Sequence, residues 1–65
     1  MSNHIRTRAD ELKIGDRIVR FGEIVNSIRT ITNIVRDEEW ICLTFDNDER
    51  WSMAHDRIQI KETDE

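Results

Sequence analysis

Apolar residues along the chain come in short alternating runs broken by polar, turn-forming clusters, which is the pattern of strands rather than helices. The clearest run is 40–45, where Ile41, Leu43 and Phe45 point one way and Trp40, Cys42 and Thr44 the other. Upstream, 17–21 reads as a first strand ended by Gly22, and 27–36 as a long second strand after a loop at 22–26. Downstream, 50–53 sets Trp51 and Met53 on one face, and a short last strand carries Ile58 and Ile60 inward. Two single turns join these pieces. One is Ala9-Asp10-Glu11-Leu12, with Leu12 packing down ahead of a tight Gly15-Asp16 turn, and the other is Ala54-His55-Asp56 before the last strand. Ten isoleucines and three valines in 65 residues fit this reading, since β-branched side chains sit well on a pleated surface. The expected fold is all-β with five strands.

Opposed residues of an antiparallel pair share a face, which turns loop length into register. A three-residue loop, Asn47-Asp48-Glu49, sets Phe45 against Trp51 and Leu43 against Met53, and it needs a left-handed residue, which Asn and Asp tolerate. A two-residue turn at Asp37-Glu38 pairs Ile34 with Ile41, Thr32 with Leu43 and Thr30 with Phe45. The opposite face then holds Ile31, Val35, Trp40 and Cys42, a semi-apolar stripe open to a partner. If instead the long strand bends to serve two layers of a barrel, Ile31 and Val35 are buried.

A chain this short has room for one core. The ends read as a flexible N-terminal segment, 1–8, and an acidic tail, 61–65, around a folded unit at 9–60. Cys42 alone makes no internal disulfide, and with His4 and His55 it is too sparse a set for a metal site. No cofactor is implied. Neither a secretory leader nor an apolar run of membrane length is expected, and with one unpaired thiol this points to a reducing cytoplasm.

Net charge is −4, with acidic groups at 37–39, 46–49 and 62–65, a balance that opposes non-specific attraction to phosphate. Eight of the ten basic residues are arginine, the better bidentate ligand for phosphate or carboxylate. Asp46-Asn47-Asp48 begins like a calcium loop, but Trp51 stands where glycine is needed and Arg57 where a bidentate glutamate is needed, so a hairpin turn explains it better. His55-Asp56 has no nucleophile implied beside it, Cys42 reads as a small packed strand residue, and Gly15 and Gly22 are too few for a phosphate loop. No catalytic constellation emerges, and the chain is expected not to be an enzyme.

The succession Leu12-x-x-Gly15-Asp16, Arg29-Thr30-Ile31-Thr32, Leu43-Thr44-Phe45 and Asp56-x-Ile58-x-Ile60 resembles the small SH3-like barrel proteins of bacteria, notably actinobacteria, and of their phages. The resemblance covers residues 12–60. It implies a five-stranded SH3-like barrel with a short single turn before the last strand, and no activity. The chain has no tyrosine, which sets it apart from SH3 domains that grip polyproline, and it lacks the basic loop of RNA-holding barrels. The function expected from these readings is a non-enzymatic protein-interaction module of phage or prophage type, binding a protein partner or forming a homodimer through Ile31, Val35 and Trp40. The alternative is a regulatory nucleic-acid-binding barrel, in which Arg17, Arg20, Arg29 and Arg36 share a surface with Trp40. Asp37, Glu38 and Glu39 beside Trp40 favour a protein, because carboxylates repel phosphate.

Overall fold

The computed structural model describes residues 3–63 and is all-β. Its elements are β1 (Asn3–Arg8), a single 3-10 turn (Ala9–Glu11), β2 (Arg17–Arg20), β3 (Ser27–Arg36), β4 (Trp40–Phe45), β5 (Arg50–Ala54) and β6 (Ile58–Thr63). Every pairing is antiparallel, in the order β1-β6-β2-β3-β4-β5. β1 and β5 are the two edges of this six-stranded sheet, which is not closed.

The long strand β3 is the hinge between two halves. Ser27 to Thr30 pair with β2, and Ile31 to Arg36 pair with β4. Between Ile31 and Asn33 the register slips by one residue, leaving Thr32 as a bulge whose Oγ1 donates to the Thr44 carbonyl at 3.2 Å. A one-residue slip moves side chains to the other face. Ile31 therefore comes opposite Phe45, on the side of Ile34 and Leu43, and is only 1% exposed. Without the bulge it would share a face with Val35. The expectation that Ile31 lines an outer stripe is corrected on this ground: it is a core residue.

Both hairpins keep the expected faces in a shifted register. Asp37 N–H donates to the Trp40 carbonyl at 2.8 Å, so the two-residue turn is Glu38-Glu39, and Ile34 meets Leu43 rather than Ile41. At the next hairpin the three-residue loop is Asp46-Asn47-Asp48, closed by Phe45 N–H to the Glu49 carbonyl at 2.9 Å, and Leu43 meets Trp51. Beyond the Thr32 bulge each shift is by two in the sum of paired residue numbers, which preserves the side on which those side chains lie. Asp48 is the left-handed residue, at φ 68°, and the Asn47 side chain accepts from Glu49 N–H at 3.2 Å.

Residues 3–8 and 61–63 are strand, where a flexible segment over 1–8 and an acidic tail over 61–65 are expected from the sequence. Asn3 to Arg8 pair with β6 over six residues, from Asn3 opposite Thr63 to Arg8 opposite Ile58. Lys61, Glu62 and Thr63 belong to β6, while Met1, Ser2, Asp64 and Glu65 fall outside the described residues. Among the described residues there are thus six strands rather than five. Thr7 is buried, and Ala9 N–H donates to the Arg57 carbonyl at 2.8 Å, tying β1 to the turn before β6. At the end of β1, Arg8 bonds the Asp10 carboxylate through two nitrogens, at 2.9 and 3.2 Å, and that bond and charge raise its already high pKa.

The core gathers Ala9, Leu12, Ile18, Ile31, Ile41, Leu43, Phe45 and Met53, with Ile34 and Trp51 packed against it. Leu12 is fully buried, as its place after the 3-10 turn implies. Gly15 takes the left-handed conformation, at φ 97°, and its N–H reaches the Ile31 carbonyl at 2.8 Å. Among the described residues no helix is long and apolar enough to cross a membrane.

Candidate functional site

Alternation along β3, β4 and β5 decides what lies outside the core. With Ile34, Ile41, Leu43 and Met53 turned inward, the outer face carries Asn33, Val35 and Asp37 from the β3 end, Trp40, Cys42 and Thr44 from β4, and Arg50, Ser52 and Ala54 from β5. Val35 is 57% exposed and Trp40 54%. A shallow depression of about 470 Å³ lies between them, lined by Val35, Asp37, Trp40, Cys42 and Ser52. Its floor is apolar and its one charged wall is Asp37, whose carboxylate accepts from Glu38 N–H at 3.0 Å. Two of the three expected docking residues, Val35 and Trp40, are therefore together on an exposed face, and Ile31 is beneath it.

The hairpin carrying this face is fastened at its tip. His55 Nε2 donates to the Asp37 carbonyl at 2.6 Å, joining the turn after β5 to the turn after β3. On the inner side Arg36 donates to the Leu12 carbonyl at 3.0 Å. Trp40 thus projects from a turn pinned on two sides. An aromatic held this way loses little freedom when a partner covers it.

The four arginines named for nucleic acid do not form one surface. Arg17 lies 3.5 Å from Glu62, on the opposite side of the sheet from Arg20 and Arg29. Arg20 stacks over the Trp51 ring at 3.9 Å and reaches Glu49 at 3.5 Å. The Nε of Arg29 is buried without a hydrogen-bond partner, and its Nη1 donates to the Ile28 carbonyl at 3.5 Å. Arg36 is taken up by Leu12. Arg20, Arg29 and Arg36 lie on the inner side, and Arg17, on the outer side, is held at Glu62 on β6 rather than beside Trp40.

Two features escaped sequence reasoning. A groove of about 540 Å³ runs along the open side of β5, where Trp51 packs edge-on against Phe45 at 4.6 Å and lies beneath Arg20. Its outer wall includes Phe21, Arg57 and Gln59. The β2–β3 loop also exposes apolar side chains, with Ile24 98% exposed beside Val25 and Phe21. The available signal was the apolar pair Ile24-Val25 inside a segment too short of alternation to be strand.

The comparisons add no relative: no protein family, curated protein or solved structure matches the chain.

Proposed function

We propose that the chain is a non-enzymatic protein-interaction module, built on an SH3-like scaffold of the phage or bacterial type and working in a reducing cytoplasm, where Cys42 stays a thiol. Support for the scaffold comes from the five strands β2 to β6, the long β3 shared between two halves, and the hydrogen-bonded turn from Ala54 to Arg57 before the last strand. The docking surface is the outer face of the β3–β4 hairpin around Val35 and Trp40. The observation that carries this reading is a half-exposed tryptophan beside an exposed valine, on a rigid turn, around an apolar depression. The carboxylates at Asp37, Glu38 and Glu39 suit a cationic protein surface and oppose nucleic acid.

The test is affinity capture by the native chain and by its Trp40→Ala variant, each with and without nuclease. Trp40 lies outside the core, so the variant is expected to keep the native circular dichroism. A protein that survives nuclease on the native chain and is lost, by at least about tenfold, on the variant is the expected result, since a central aromatic commonly carries ~2 kcal/mol or more of an interface. Recovery that vanishes with nuclease, whatever happens at Trp40, would overturn the proposal in favour of nucleic acid.

A further inference from the structure

The outer face ends at a strand edge whose backbone is open. Because Phe45 N–H bonds the Glu49 carbonyl, and bonded pairs alternate along an antiparallel ladder, the bonded pairs of β4 and β5 are Leu43 with Trp51 and Ile41 with Met53. Arg50, Ser52 and Ala54 then turn their N–H and carbonyl groups away from β4. Arg57 N–H takes the Ala54 carbonyl at 3.1 Å, and no other backbone bond reaches this edge among the described residues. Such an edge is a template for another strand.

The side chains on it favour one occupant. Ser52 is small and exposed, and Ala54 is small and half-buried, so neither side chain blocks a close approach. An antiparallel copy centred on Ser52 puts Ser52 opposite Ser52 of the second copy and Arg50 opposite its Ala54. Ala54 is the cross-strand neighbour of Trp40, and Asp37 is the neighbour of Trp40 on its other side. The row on the outer face then reads Asp37, Trp40, Ala54, and Arg50 of the second copy. A guanidinium thus arrives beside an exposed indole and a carboxylate, the combination that holds a cation best. Arg50 is exposed and engages no other group among the described residues. The two-fold axis repeats this contact on the other side.

We propose that the free β5 edge pairs antiparallel with β5 of a second copy of this chain, with Arg50 of each copy seated over Trp40 and Asp37 of the other. The proposal rests on reading the Val35–Trp40 face as a docking surface and names its partner.

Sedimentation equilibrium of the native chain over a concentration series tests it, alongside two variants. The native chain is expected to dimerise. Ser52→Pro removes an N–H that points away from β4, so it costs no internal ladder bond, and it is expected to leave a folded monomer. Arg50→Glu keeps the backbone edge but sets a carboxylate against Asp37, and is expected to weaken the dimer at least about tenfold. A native chain that stays monomeric up to millimolar concentration overturns the proposal, as does a dimer that both variants leave intact. If Ser52→Pro fails to fold, Arg50→Glu alone decides. A monomeric native chain whose Trp40→Ala variant still loses a captured protein means that the face serves another partner, whereas capture that Trp40→Ala leaves unchanged removes the docking face altogether.

Discussion

Replacing Phe45 by alanine is expected to leave the chain largely unfolded at room temperature. Phe45 is the largest fully buried side chain, and it stands where the two halves of the sheet meet: opposite Ile31 just before the bulge, edge-on to Trp51, and next to the loop that closes β4 on β5. Truncating a buried phenylalanine costs ~3–5 kcal/mol through lost transfer energy and the cavity left behind. A domain of this size holds a net stability of only about 3–5 kcal/mol. Circular dichroism through a urea titration checks the result. A variant that keeps the native midpoint would mean that Phe45 is not the keystone of the core.

Deleting residues 1–7 is expected to be nearly as damaging. A flexible tail could be removed without effect, but a strand paired over six residues cannot, since each backbone bond contributes a net ~1 kcal/mol and the loss comes to several. The deletion also removes buried Thr7 and turns β6 from an interior strand into an open edge, which invites aggregation. Thermal melting of the shortened chain, with light scattering, distinguishes the two cases. A melting curve matching that of the whole chain would show that β1 adds nothing to the fold.

What the sequence disclosed follows the physics of alternation. β3 and β4 have the bounds that their apolar period implies: in β4 one face, Ile41, Leu43 and Phe45, is apolar and buried, and in β3 Ile31 and Ile34 turn to the same side. The hairpin registers were each displaced by two, since period-two patterning is blind to a shift by two and only turn chemistry separates the candidates. Ile31 was misplaced because nothing in Thr30-Ile31-Thr32-Asn33 marks Thr32 as the bulge; the slip is a tertiary solution that lets one strand serve both halves. β1 was hidden by its polarity. In Asn3-His4-Ile5-Arg6-Thr7-Arg8 only Ile5 is apolar, and the strand is held by its backbone ladder to β6 rather than by an apolar stripe.

The candidate face was legible in part for the same reason. Val35 and Trp40 lie beyond the bulge, where simple alternation still holds, so their shared outer face could be read directly. The open edge of β5 could not, because Ser52 and Ala54 carry no signal as side chains. Only the strand order shows that their backbone groups are at an edge. The arginines look like a set in the sequence, yet strand parity sends Arg17 and Arg20 to opposite sides.

Binding is expected to cover Trp40. The emission of Trp40, read in a Trp51→Phe chain at low concentration and then with its partner bound, tests it most directly. The expected result is a water-exposed, red-shifted emission in the free chain that moves to the blue as the indole leaves solvent. An emission unchanged by binding would contradict the claim and place the docking surface elsewhere on the molecule.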